Sequence, residues 1–288
     1  MSQRYAIRIS YDGTDFCGWQ KQGGQETRTG ISPSIEELVA KAVASTFQEE
    51  VPIVASGRTD AGVHASGQVA HFSVSSPPES GEHLLDALNH SLPESIRIHE
   101  FTRVPSTFSA RSAVAKQYSY YFLEGPAPLP HLHRFSRWSH RSLEIDLLRE
   151  AVTHLQGKHD FAPLGRSSPE LRSTIREISE AEISQAPIPL PGCFSPEHYQ
   201  WVRLRLRGSG FLKQMVRRIV GTLILVGEKR ETPDVFREIL TTQDSSRVGD
   251  TAPANGLWLD RVWYREESGF PFSNFSNEAK DSSQPFAT

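Results

Sequence analysis

From Tyr5 to Tyr11 the chain reads Tyr-Ala-Ile-Arg-Ile-Ser-Tyr, apolar and polar in alternation. That is the period of a half-buried strand. Asp12-Gly13 reads as a turn, and Phe16 to Gln20 sets an aromatic pair around a glycine. A loop from Gly23 to Pro33, rich in Gly and Thr and carrying Arg28, separates this from the first helix. The spacing predicts that helix over Ser34 to Phe47. Ser34 and Glu37 have capping-box spacing, and Ile35, Leu38, Val39, Ala42, Val43 and Phe47 form one apolar stripe. Ile53-Val54-Ala55 leads into a polar loop and Val69 to Val74 leads out as a strand. Leu84, Leu85 and Leu88 mark a short helix ending near Leu92-Pro93, and Ile96 to Phe101 is a short strand.

The alternation of strands and helices then begins again. Val114 to Phe122 is a predicted strand carrying Tyr118, Tyr120 and Tyr121, followed by a Pro- and His-rich loop from Gly125 to His140. A helix is expected over Leu143 to Leu155 and a strand over Ile175 to Ile183. The Pro-rich stretch Ala186 to Pro196 cannot continue a sheet. His198 to Arg207 alternates, with Val202, Leu204 and Leu206 on one face and Arg203, Arg205 and Arg207 on the other. Gly210 is expected to open a second long helix striped with Leu212, Met215, Val216, Ile219, Val220 and Leu223. Lys213, Arg217 and Arg218 lie off that stripe. Thr232-Pro233 starts a further helix, and Leu257 to Tyr264 is a last strand. The pattern predicts an α+β chain of two related units, each like a split βαβ. The expected divisions are residues 1–104, residues 105–267, and a loosely held polar tail over 268–288.

Composition narrows the classes. The sequence has no apolar run near the ~20 residues of a membrane helix and opens on a strand pattern without signal-peptide layout. Its two cysteines, Cys17 and Cys193, have no metal-ligand spacing, so neither a disulfide framework nor a structural zinc site is expected. These features fit a reducing cytoplasm. The formal net charge of −3 does not mark a nucleic-acid binder taken whole, so the placement of the arginines matters more than their sum.

The densest chemistry lies in Gly57-Arg58-Thr59-Asp60-Ala61-Gly62-Val63-His64. One carboxylate sits on a loop two residues after a guanidinium, between glycines that permit sharp turns or close ligand approach. Read from spacing alone, this is either a ligand-facing acid or a surface Asp–Arg pair. The face of Arg203, Arg205 and Arg207, with no acid interleaved and Lys213, Arg217 and Arg218 following, points to an anionic partner such as RNA phosphate. A solvated outer strand face is the alternative. His131, His133 and His140 have no carboxylate or thiol at ligand spacing and read as loop histidines. His64 and His71 flank the Asp60 region, yet no nucleophile elbow, P-loop or dinucleotide fingerprint is present. A glycosidase needs a second placed acid, and none stands near Asp60. The tyrosines of 114–122 are core residues or, for an aromatic beside a basic face, a platform for a splayed base.

Several runs taken together resemble one family. They are Tyr11-Asp12-Gly13-Thr14 to Gly18-Trp19-Gln20, Gly57 to Ala65, Gly67-Gln68-Val69, Phe108-Ser109-Ala110-Arg111, Lys116-Gln117-Tyr118, His159-Asp160-Phe161, Phe211 to Arg217, and Gly221-Thr222-Leu223. In this order, over about residues 4–265, the chain resembles the TruA-type tRNA pseudouridine synthase family. The resemblance implies a pseudouridine synthase fold: α+β, with a central mixed, mostly antiparallel sheet formed by two similar ferredoxin/RRM-like halves and a cleft between them. It implies an isomerase acting on uridines in the anticodon arm of tRNA, a homodimer, no membrane association, and no metal or organic cofactor. By motif match, Asp60 would be the catalytic carboxylate, Tyr118 would pack on the target base, Arg217 would partner the carboxylate, and Arg58 would help hold the base out of its stack. Leu257 matches an apolar pocket residue. A non-catalytic RNA-binding protein on the same scaffold is the competing expectation. The chain departs from the pattern at the 23–32 loop, at Ser34-Ile35-Glu36, which lacks the glutamine usual there, at Ala162-Pro163-Leu164, and in the tail beyond Tyr264.

Overall fold

The strand at the start of the chain, β1 (Gln3–Tyr11), is the axis of the first half of the fold. In the computed structural model, which describes residues 2–20, 32–77, 83–166, 173–187 and 198–271, β1 pairs antiparallel with β3 (His64–Val74) on one side and β4 (Ile96–Val104) on the other. Helix α1 (Ile35–Phe47) follows β1, and the two-residue β2 (Val54–Ala55) pairs antiparallel with β3. The resulting order β4-β1-β3-β2, with β1 and β2 both antiparallel to the strand between them, is a split βαβ unit. Helix α2 (Leu84–His90) precedes β4 and is tied to it by Asn89. Its side-chain amide donates to Ile98 O and accepts from Ile98 N, both at 2.8 Å.

The capping signal at α1 holds. Ser34 Oγ accepts from Glu37 N at 3.2 Å, satisfying one of the donors a helix start leaves open. The apolar stripe of α1 ends in Phe47, whose ring meets Tyr5 and Phe72 of the sheet at 5.6 Å each and Phe101 at 6.3 Å. Tyr5 and Phe72 stand directly opposite each other on the paired strands β1 and β3.

The chain's contacts fall into two units, one drawn from Met1–Lys116 and from Leu259 onward, the other Gln117–Trp258. Patterning put the first division at 104/105. The contacts instead group residues 105–116 with the first unit, where Val114 N donates to Trp263 O at 2.8 Å and Tyr264 Oη to Ala110 O at 2.8 Å. The tail expected to be loose from Ser268 begins differently. Phe270 is buried, stacked on Phe108 at 5.3 Å and set edge-on to Tyr264 at 4.8 Å. Its aromatic ring, not the polar residues around it, decides that segment. Residues 272–288 lie outside the described residues.

In the second unit the strand order is β5 (Ala115–Glu124), β9 (Gln200–Gly208), β8 (Ile175–Pro187), β7 (Gly157–Asp160). β9 and β7 are each antiparallel to β8, and the short β6 (Arg137–Ser139) runs parallel to the end of β5. Helices α3 (Ile145–Thr153), α4 (Met215–Gly227) and α5 (Val235–Thr242) complete it. The whole is α+β with a large, mostly antiparallel sheet. β6 and β7 carry no clear alternation, which is why the pattern did not show them. The helix expected from Gly210 starts at Met215. Leu212 is buried, as the stripe required, but from the turn before the helix. The Arg28 loop and the Pro-rich stretch fall largely outside the described residues, at 21–31 and 188–197.

Candidate active site

Asp60 sits at the entrance to β3, and almost every neighbour of its loop is held by a side chain. β3 starts at His64 and not at Val69, so the loop is shorter and more constrained than the alternation suggested. Gln68, fully buried, accepts from Ser56 Oγ at 2.7 Å and from Val69 N at 3.1 Å, and donates to Gly57 O at 2.8 Å. Lys116 Nζ donates to Ser56 O at 2.6 Å and lies over Gly57, where an added Cβ would meet it at 2.6 Å. The Tyr11 hydroxyl and Thr59 Oγ1 are 2.8 Å apart in the core. Burial pushes the Tyr11 phenol far above its ordinary range, with Thr59 and Gln68 only opposing, so it is a neutral hydrogen-bonding group.

The other side of the loop is closed by main chain. Trp19 N donates to Thr59 O at 3.1 Å, and Val63 N donates to Asp60 O at 3.2 Å. Gly18 has φ +103°, and a Cβ there would stand 2.7 Å from Thr59 O. Only glycine meets both demands. Gly13 N donates to Nδ1 of the fully buried His64 at 3.0 Å. Asp12 Oδ1 takes both Thr14 N (3.0 Å) and Thr14 Oγ1 (2.6 Å) and lies 3.3 Å from the same His64 nitrogen. The half-buried Asp60 is therefore presented from a loop whose flanks cannot shift without breaking buried bonds.

Arg58 is exposed, and its charge reaches Glu36 in the first turn of α1. Burial pushes the Glu36 carboxyl up, while Arg58, a Gln20 hydrogen bond and Arg111 oppose the rise. Glu36 N is itself bonded to Trp19 O at 2.9 Å, so α1, the Gly18-Trp19 segment and the Asp60 loop are pinned in series. His71, seven residues into β3, is a strut. Ala110 N donates to its Nδ1 at 3.1 Å. Burial, with the charges of Arg4 and Arg111, lowers its pKa to about 4, against a hydrogen bond to the Val54 backbone.

The second unit carries the remaining expected site residues. Tyr118 is largely buried at the start of β5, edge-on to Phe211 at 5.1 Å. Arg217, in the first turn of α4, donates from Nε to Ala252 O at 2.7 Å, and Ala252 N donates back to Arg217 O at 3.1 Å. That loop is docked on α4 at Gly221, where a Cβ would meet Asp250 O at 1.8 Å, and at Thr222, whose Oγ1 accepts from Gly249 N at 3.0 Å. The Gly221-Thr222 motif thus fixes the loop that orients Arg217. Leu257 is buried at the start of β10 (Leu257–Trp263), after a turn where Gly256 leaves room for the Tyr120 ring.

The arginine face of β9 is corrected by the structure. It was expected to lack compensating acids, but β8 supplies them across the strands. Arg205 pairs with Glu182, Arg207 with Glu180 at 2.9 Å, and Arg203 Nε donates to Ser184 Oγ at 3.3 Å. Arg207 is buried besides. The acids lie more than twenty residues earlier in the chain, so spacing within β9 could not reveal them. Sequence reasoning also assigned no role to Gln68, His64, Tyr11, Asp12 or Lys116. The available signal was that each stands inside a quoted motif, and that Gln68 and His64 are polar residues flanked by apolar ones.

The family model for tRNA pseudouridine synthase matches residues 7–111 and 151–265. Three relatives match over nearly their whole length, each named tRNA pseudouridine synthase A. The protein from Bdellovibrio bacteriovorus is 36% identical over 93% of this chain and 97% of its own. That from Syntrophotalea carbinolica is 37% identical over 89% and 94%, and that from Bacteroides fragilis 35% over 92% and 98%. The chain belongs to the tRNA pseudouridine synthase family, a family of isomerases. Among the described residues no helix is long and apolar enough to cross a membrane.

Proposed function

We propose that this chain isomerises uridine to pseudouridine in the anticodon stem-loop of tRNA, with Asp60 as the carboxylate that acts on an extruded uridine. The observation that carries the reading is the support under Asp60, where Gln68, Tyr11, His64 and Gly18 lock the loop on both sides. Preorganisation of this kind is what a reacting group requires.

The reaction breaks the bond from ribose C1′ to uracil N1 and joins C1′ to C5. The C5 proton leaves and N1 ends protonated, so atoms and electrons balance without oxidant or water. The isomerisation therefore calls for no redox cofactor and no activated water. Asp60 serves as nucleophile or base. The uridine must leave its stack, at a cost of a few kcal/mol, and Tyr118 offers an aromatic face worth about 1–3 kcal/mol per stacked base. On the same reading Arg217 partners the carboxylate, Arg58 holds the base out, and Leu257 packs on the uracil edge. Lys213 and Arg218 meet the RNA backbone. The protein works in the cytoplasm as a homodimer.

Asp60→Asn and Asp60→Ala are expected to abolish tritium release from tRNA labelled at uridine C5 while tRNA binding persists. Near-normal turnover by Asp60→Ala would refute the assignment. Mapping pseudouridines in tRNA from cells with and without the protein identifies the target positions.

A further inference from the structure

Two carbonyls in the turn ahead of Asp60 are held by side chains and not by the sheet. β2 ends at Ala55, opposite Ala70, and one further main-chain bond, Ser56 N to Val69 O at 2.8 Å, continues that ladder. Beyond it Gln68 Nε2 donates to Gly57 O at 2.8 Å and Lys116 Nζ donates to Ser56 O at 2.6 Å. Lys116 comes from the start of β5, sixty residues further along, and belongs with the turn to the first unit. Its side chain is half-buried and crosses over Gly57. Among the described residues, an added Cβ at Gly57 would meet the Lys116 side chain alone, Nζ at 2.6 Å and Cε at 3.7 Å. Gly57 has no positive φ, so its missing side chain serves to let the lysine pass. Ser56 is tied at the same time through Oγ to Gln68 Oε1 at 2.7 Å. The two residues before Arg58 are thus clamped by an amide and by a cation. A hydrogen bond from an ammonium is stronger than one between neutral groups, so the clamp from furthest along the chain is also the stronger one.

We propose that Lys116 is a positioning residue for the reaction: its ammonium, passing over Gly57 to Ser56 O, fixes the turn from which Asp60 is presented. The proposal rests on the reading of Asp60 as the reacting carboxylate and adds a residue that acts through the turn. A reacting group displaced by about 1 Å can lose about 100-fold in rate, so a tether three to four residues from Asp60 is close enough to matter. Gly57 and Lys116 form one device in this account, the glycine being the gap through which the tether runs.

The contact can be cut from either side. Lys116→Ala removes the ammonium. Gly57→Ala keeps the lysine but puts a methyl group 2.6 Å from Nζ, and the flexible end of the lysine is what yields. Each should lower kcat for tritium release by about 10–100-fold, with KM and tRNA affinity nearly unchanged. Because both cut one contact, the double variant should be no slower than the slower single variant. Lys41→Ala, which removes an exposed lysine paired with Glu37 on α1, should match the unmodified protein. If Lys116 instead held an RNA phosphate, Lys116→Ala would lower the slope of log tRNA affinity against log salt by about 0.7–0.9, and that result would overturn the proposal. Unchanged kcat in both single variants, or losses that multiply in the double variant, would overturn it too. Gly57→Ala needs only the lysine tip to move, so it keeps the test valid if Lys116→Ala fails to fold. An inactive Asp60→Ala protein beside fully active Lys116 and Gly57 variants refutes the tether alone. Near-normal turnover by Asp60→Ala refutes the reading of the carboxylate itself.

Discussion

The Asp60 loop and the outer face of β9 looked alike as sequence: charged residues on short, accessible stretches beside apolar runs. In the fold they differ in kind. Polar groups around Asp60 are buried and satisfied by named partners, Gln68 with Ser56 and Gly57, and Tyr11 with Thr59. On β9, Arg205 and Arg207 are matched by the β8 carboxylates of Glu182 and Glu180, which reach solvent. A buried donor or acceptor is expensive to strand, so the first region is rigid. An ion pair open to solvent on its carboxylate side is worth about 0–1 kcal/mol, so in the second region the Arg205–Glu182 and Arg207–Glu180 charges largely cancel without locking the strand. Residue type suggested function in both places, but burial separates them.

That contrast can be broken or sharpened by substitution, beginning with the loop. Gly18→Ala meets both a positive φ and a backbone oxygen 2.7 Å away. It should lower stability by about 3 kcal/mol or more, read as a fall in the denaturation midpoint, and take activity with it. A fully stable Gly18→Ala protein would show that the loop yields more easily than its contacts imply. Gln68→Ala strands Ser56 and Gly57 groups and should cost about 2–4 kcal/mol. Where the protein stays folded, turnover should fall more than tRNA affinity. Equal losses of both would place Gln68 in general packing and not in loop support.

pH offers a milder probe of the same unit. His71 is neutral in the fold, with its pKa lowered to about 4, while the unfolded chain takes up a proton near ~6.5. The unfolded state therefore binds more protons between those values, and stability is lost as pH falls from about 6.5 towards 4, by up to about 3 kcal/mol. His71→Asn should flatten that segment of the stability–pH curve. A curve of unchanged shape would assign the acid sensitivity to other groups. The smallest effect belongs to β9. Arg205→Ala should change stability by less than about 1 kcal/mol and leave the salt slope of tRNA binding nearly unaltered. A slope loss near one would return that strand to the RNA interface.

Much of the fold was legible because it rests on local rules. Ser34 and Glu37 marked the start of α1, the stripe to Phe47 marked its buried face, alternation placed β1 and β9, and the apolar run from Val69 marked the second half of β3. Asp60, Arg58, Tyr118 and Arg217 were singled out by their motifs. The division at 104/105, the loose tail from Ser268, and the uncompensated arginines came from reading segments without their distant partners.

By itself the sequence determined periodicity, caps, and the family to which the chain belongs, since these depend on residues a few positions apart or on motifs in order. Only the tertiary structure decided which polar groups are buried and which charges meet an opposite charge. Burial and Coulomb energy depend on distance in space, and Glu180 and Glu182 reach the arginines from far along the chain.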